Sequence, residues 1–276
     1  MGLVVVDIDR SNIMDDNNKR LGEIRKNKNS LGGYEMKIIE YNNNKDIVIE
    51  FQDKYKAKIH TAYKEFKNGS IKNPYHPCVY NIGYYGQGKY KSRKNGKNTK
   101  CYNTWKGMLE RCYDAYYINK EPTYIDCYVC KEWHDFQNFA KWYYKNYYEV
   151  KEEKMCLDKD ILIKGNKIYS PETCIFVPEK INTLFVKNDV NRGKYPIGVT
   201  YHKASNKLRV DCSIYENNKK KQKHLGLFST NKPFQAFVCY KNFKEDYIKQ
   251  VANEYKDLIP KELYKALYKY EVEIND

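Results

Sequence analysis

No run of this 276-residue chain is apolar for long enough to cross a bilayer. The triplet Val4, Val5, Val6 is too short for a signal-peptide core, and Asp7 and Asp9 stand beside it. The expectation is therefore a cytosolic protein with no membrane partner. Acidic residues are also scarce. Asp plus Glu is 35 against 50 for Lys plus Arg, which leaves a net charge of +15. A basic excess of this size favours polyanionic partners, because each cation that neutralises a phosphate releases condensed counterions. AT-rich codons favour Lys, Asn, Tyr and Ile alike, so composition alone does not decide the matter. A second Cys-x-x-Cys is missing as well. Cys127 and Cys130 have half of a zinc-knuckle spacing, and the remaining ligands would have to be drawn from Cys112, His134, Cys156 and Cys174. The plainer reading of the nine cysteines is reduced, buried thiols. His60, His76 and His202 have no ligand-like neighbours in sequence.

What is present points to an α+β, multi-domain chain. Hydrophobic residues are 41% and charged residues 31%, enough for real cores under a well-solvated surface. The length suits two or three small domains. Residues 1–85 read as a small β-rich domain. Met36, Ile38 and Glu40 alternate with Lys37, Ile39 and Tyr41, then Asn42-Asn43-Asn44-Lys45 makes a turn. Ile47, Ile49 and Phe51 share one face, as do Tyr55, Ala57 and Ile59. This predicts a hairpin and a third strand in a meander or SH3-like barrel.

Residues 86–100 are basic and glycine-rich, a linker or long loop whose Lys91, Arg93 and Lys94 are candidates to track phosphates. Tyr102, Trp105, Leu109, Cys112 and Tyr116 recur at helical spacing, and a second helix is predicted over 133–147. Strands are predicted over 157–163 and 168–177, joined through Gly165-Asn166, with a short helix opening at Pro178. Together 101–187 form a ββα domain. Residues 188–276 read as strands at 197–202, 208–215 and 223–228, then a long amphipathic helix from 233 to 255 and a terminal helix after Pro260.

Two stretches resemble known families. Trp105-Lys106-Gly107-Met108-Leu109-Glu110-Arg111-Cys112, Val129-Cys130-Lys131-Glu132-Trp133, Leu157-Asp158-Lys159-Asp160 and Tyr169-Ser170-Pro171-Glu172-Thr173-Cys174, ending at Ile181-Asn182, resemble bacteriophage HNH-endonuclease-like proteins. Pro196-Ile197-Gly198-Val199, Lys207-Leu208-Arg209-Val210, His224-Leu225-Gly226-Leu227-Phe228 and Ala236-Phe237 resemble the ethylene-response-factor-like DNA-binding fold.

The first resemblance implies a nuclease site in which a His activates water, a loop Asn steadies the turn, and an Asp with a helix His or Asn holds a divalent metal, magnesium or zinc. Asp158 matches the Asp and Asn182 the helix residue, but Lys159 stands where the catalytic His belongs, and the loop position falls near Thr173. A lysine with a pKa near ~10.4 is a poor base at neutral pH. His134 is the one nearby substitute. The second resemblance implies a sheet that faces DNA, with Lys203, Lys207, Arg209, Lys223 and His224 as its candidate contacts.

Three readings follow. The first is a phage DNA-binding protein on a catalytically impaired HNH scaffold. The second is a protein that binds and inhibits a host defence complex, for which the 29 tyrosines offer contact area. The third is an active metal-dependent nuclease with a non-standard base.

Overall fold

The computed structural model describes residues 19–186, 194–216, 219–274 and 276. They form two compact units. One takes the chain up to Ile125 together with Val129–Trp142, and the other takes Asp126–Tyr128 with Tyr143–Asp276. Both mix α and β structure. The first 18 residues, which include the Val4 to Val6 run, and residues 187–193 lie outside the described residues.

The first unit opens with an antiparallel meander in the order β1 (Ile24–Lys26), β2 (Glu35–Asn43), β3 (Asp46–Phe51), β4 (Lys58–Thr61). Period-two alternation sets its core: Met36, Ile38, Ile47, Ile49 and Phe51 are fully buried. Phe66, on the short α1 (Tyr63–Lys67), closes over them with Ala57 and Ile71. The Asn-rich turn falls where predicted, with Asn43 facing Asp46. Tyr55 does not belong to the third strand. The Asp53 carboxylate accepts the amides of Tyr55 and Lys56, Lys56 turns left-handed, and the strand starts only at Lys58. Tyr55 instead stacks on Tyr75, ring centroids 4.2 Å apart.

The same unit continues with a hairpin of β5 (Arg93–Lys94) and β6 (Lys97–Asn98), then α2 (Lys100–Tyr113) and α3 (Ala115–Lys120). Thr99 caps α2 by accepting the Tyr102 amide at 3.1 Å. Tyr102, Trp105, Met108, Leu109 and Cys112 form its buried stripe. Tyr116 leaves that stripe and is 78% exposed, because Asp114 adopts an extended backbone and caps a new helix through the Tyr117 amide. After β7 (Tyr128–Val129), Lys131–His134 makes a 3-10 turn, so α4 (Phe136–Asn146) begins later than the apolar pattern predicts. The Trp105 indole donates to the Trp133 carbonyl at 2.7 Å and packs on Phe136.

In the second unit, β8 (Met155–Asp158) and β10 (Ile175–Pro178) pair antiparallel, and α5 (Glu179–Asn182) follows directly. The first strand is shorter than predicted. The second is broken into β9 (Ile168–Tyr169) and β10 by a turn in which the Thr173 hydroxyl donates to the Ile168 carbonyl. Val177 and Ile181 share one core with Ile248 and Val251 of α6 (Pro233–Glu254) and with Leu263 and Leu267 of α7 (Lys261–Tyr268). The remaining sheet runs β11 (Val199–His202), β12 (Lys207–Glu216), β13 (Lys219–Phe228), all antiparallel. Leu208, Val210 and Cys212 bury one face of it against Ala236, Phe237 and Tyr240 of α6. Gly198 allows that packing. It sits at φ +76°, and a Cβ there would come within 2.1 Å of the Tyr240 ring.

Candidate nucleic-acid interface

Alternation along β12 sends Leu208, Val210 and Cys212 to the helix side, leaving Lys207, Arg209, Asp211 and Ser213 on the opposite face. Lys203 is exposed in the 3-10 turn that joins β11 to β12, where Asn206 takes the left-handed conformation. A bulge between Val210 and Asp211 inserts Leu225 on β13 and moves the register by one residue. Beyond the bulge His224 faces Asp211, Gln222 faces Ser213 and Lys220 faces Tyr215, so these three share the outer face. Asp211 anchors two candidates at once. It accepts from Arg209 Nε at 2.8 Å and contacts His224 Nδ1 at 3.1 Å. Both side chains remain nearly half exposed, at 42% and 47%.

Lys223 is different. It pairs with Cys212, whose side chain points to the helix, and its ammonium lies 4.9 Å from the centre of the Phe243 ring on α6. It belongs to the helix side of the sheet, not with Arg209 and His224. β13 starts at Lys219, four residues earlier than predicted, which adds Lys219, Lys220 and Lys221 to the ribbon, all exposed. Lys221 is paired with Glu216 at 2.5 Å. Asp211, as the anchoring carboxylate, and Lys220 are the two outer-face residues that sequence reading missed. The spacing Lys207, Arg209, Asp211 at every second position was the available signal.

Lys91, Arg93 and Lys94 are exposed on a long loop that is held within the first unit. Gln137 grips it by donating to the carbonyls of Tyr85 and Tyr90 and accepting the Tyr90 amide. Arg93 and Lys94 lie in the β5–β6 hairpin, and Arg93 Nε donates to the Asn98 side chain. Asn95 and Gly96 both have positive φ, the geometry of a type I′ turn.

In the ββα region, Asp158 ends β8. Its carboxylate accepts the amides of Asp160 and Ile161, at 2.9 and 2.7 Å, and so folds the chain into a turn. Burial, with the Asp160 charge added, pushes its pKa up to about 6. Lys159 is buried, and its ammonium donates to the Asp160 carboxylate at 2.9 Å and the Asn166 carbonyl at 3.1 Å. Burial works against its charge, but Asp160 overrides it and holds the pKa above the ordinary lysine value. A lysine so held is a cation that ties the turn, not a base. The residue that steadies this turn is Asn166, through its amide to the carbonyls of Lys159 and Ile168. Asn182 is half-buried at the end of α5. His134, in the first unit, has its Nε2 3.1 Å from the Val129 carbonyl, and burial lowers its pKa.

Cys127 is buried and Cys130 half-buried, and no disulfide joins any of the nine cysteines, all of which lie among the described residues. Among those residues no group of three or more His, Cys, Asp or Glu is arranged to hold a metal ion. No described helix is long and apolar enough to cross a membrane. Comparison with known proteins finds no matching family model, curated protein or solved structure.

Proposed function

We propose that this is a DNA-binding protein of HNH-endonuclease-derived type, gripping the duplex through the outer face of β11–β13, with its central ββα unit serving as scaffold and not as nuclease. The observation that carries the reading is the β12–β13 ribbon. It presents Lys207, Arg209 and His224 on one face while α6 stiffens the other. A two-stranded ribbon fits the major groove, and Arg209, oriented by Asp211, is the side chain best placed to address a base edge. Lys203 and Lys207 would hold phosphates. The Lys91–Lys94 loop adds a second cationic patch. The scaffold reading rests on Lys159, whose ammonium is committed to Asp160 and Asn166.

The test is fluorescence anisotropy of the full chain with a mixed-sequence DNA duplex across about 50 to 200 mM salt. Lys207→Ala with Arg209→Ala is expected to weaken binding by roughly tenfold to a hundredfold and to make the salt slope shallower by about 1, the share of the Lys207 phosphate contact. Unchanged affinity and slope would remove the main contact surface from the account. A stoichiometric protein captured from nuclease-treated host lysate, with no DNA affinity at low salt, would favour the defence-inhibitor reading.

A further inference from the structure

A cavity of about 340 Å³ lies inside the second unit, where the chain enters β11 at Gly198 and leaves β12 uncovered from Asp211 onward. This volume is in the range of small-molecule sites. Its charge is unusual. Two carboxylates line it, and both are already engaged: Asp211 by Arg209 and His224, Asp276 by Lys164 at 2.8 Å. Two lysines line it as well, Lys220 and Lys244, and no hydrogen bond or ion pair among the described residues reaches either ammonium. Lys244 is only 8% exposed. A buried cation without a partner is costly, and a hydrophobic residue of the same length would pack there without that cost. Burial lowers its pKa; Cys212 works against this shift and the Lys220 charge works with it. The Lys244 amine therefore has no partner among the described residues, and a bound anion would favour its charged form.

The remaining lining fixes the kind of anion. Phe185 and Tyr270 form a tilted ring pair, centroids 4.7 Å apart, on one wall. Thr183 and Thr200 also line it, with hydroxyls that donate to the carbonyls of Lys180 and Arg209. An inorganic ion would leave the aromatic wall unused, and a neutral planar molecule would leave Lys244 unpaired. We propose that the cavity binds a small phosphomonoester with a planar heteroaromatic body, a nucleoside monophosphate in size and chemistry, with Lys244 as the buried counter-ion and Lys220 as the cation at the mouth. This site is separate from the proposed DNA contacts of Lys207 and Arg209.

Isothermal titration of the full chain with AMP, with adenosine and with inorganic phosphate tests it. AMP is expected to bind more tightly than either fragment, and Lys244→Met to weaken AMP at least tenfold while the protein's melting temperature without ligand stays the same or rises. Lys220→Gln, on an exposed strand, is expected to weaken AMP severalfold without touching the fold, which keeps the test sound if Lys244→Met does not fold. The Lys207→Ala variant, at a residue that neither lines the cavity nor pairs with its carboxylates, is expected to bind AMP normally while weakening DNA, so failure of the DNA reading and failure of this one are distinguishable. No heat and no melting shift with AMP, or undiminished AMP binding by both lysine variants, overturns the proposal.

Discussion

Trp105→Ala is expected to cost roughly 3 to 5 kcal/mol of stability in the first unit, the range for removing a fully buried large aromatic. The side chain is 0% exposed and packs among Tyr85, Tyr102 and Phe136. It also carries the hydrogen bond to the Trp133 carbonyl, so truncation leaves a buried acceptor without its donor. Native proteins hold only about 5 to 15 kcal/mol in reserve, so the loss is a large fraction of the total. Urea denaturation followed by hydrogen exchange at the α2 amides measures it. A loss below about 1 kcal/mol would mean that this aromatic cluster does not hold α2 in place.

The second large effect has the opposite sign. Asp158→Asn is expected to stabilise the protein at neutral pH, on the order of 3 kcal/mol, with no gain near pH 4. The Asp158 pKa is raised from its ordinary 3.8 to about 6 by burial and by Asp160. The folded state therefore holds its proton more tightly than the unfolded state. The contribution of Asp158 to stability is fully present below pH 4, is lost as pH rises through the interval from about 4 to 6, and does not change above it. Asparagine keeps a carbonyl oxygen for the amides of Asp160 and Ile161, both of which bond to the same oxygen, Oδ1, and it carries no charge to bury. Thermal melts of both proteins at pH 4 and pH 7 check it. An asparagine variant that is less stable at pH 7 would show that the carboxylate is held charged by something the described contacts do not supply.

Much of the fold was legible where one face is buried. Met36, Ile38, Ile47, Ile49 and Phe51 alternate because the meander is apolar on one side only, and the run from β11 to α6 was read in order. The misreadings share a cause, which is a short polar side chain redirecting the backbone. Asp53 stops the run that Tyr55 was expected to join, Asp114 ends α2 before Tyr116, and Asp158 cuts the strand predicted over 157–163. The hairpin between Arg93 and Asn98 carried its own signal in Asn95-Gly96, hidden by the absence of apolar alternation around it.

The site was legible in composition and not in direction. Lys223 and His224 were expected together, but neighbours on a strand face opposite ways. Strict alternation from the Arg209–Leu227 pair would have put Lys223 outward and His224 inward. The bulge at Leu225 reverses this, and no periodicity argument locates a bulge. The pairing of Lys159 with Asp160 was adjacent in sequence, yet its burial depends on Asn166 folding the loop back. That Lys244 lines a cavity could be read only with the whole second unit assembled.

The most direct measurement of the central claim is backbone amide exchange with and without a DNA duplex at low salt. The account predicts slowed exchange across Lys207–Glu216 and Lys219–Phe228, with little change along the ββα strands Met155–Asp158 and Ile175–Pro178. Bound DNA that leaves β12 and β13 exchanging at their free rates, with protection elsewhere, would contradict it.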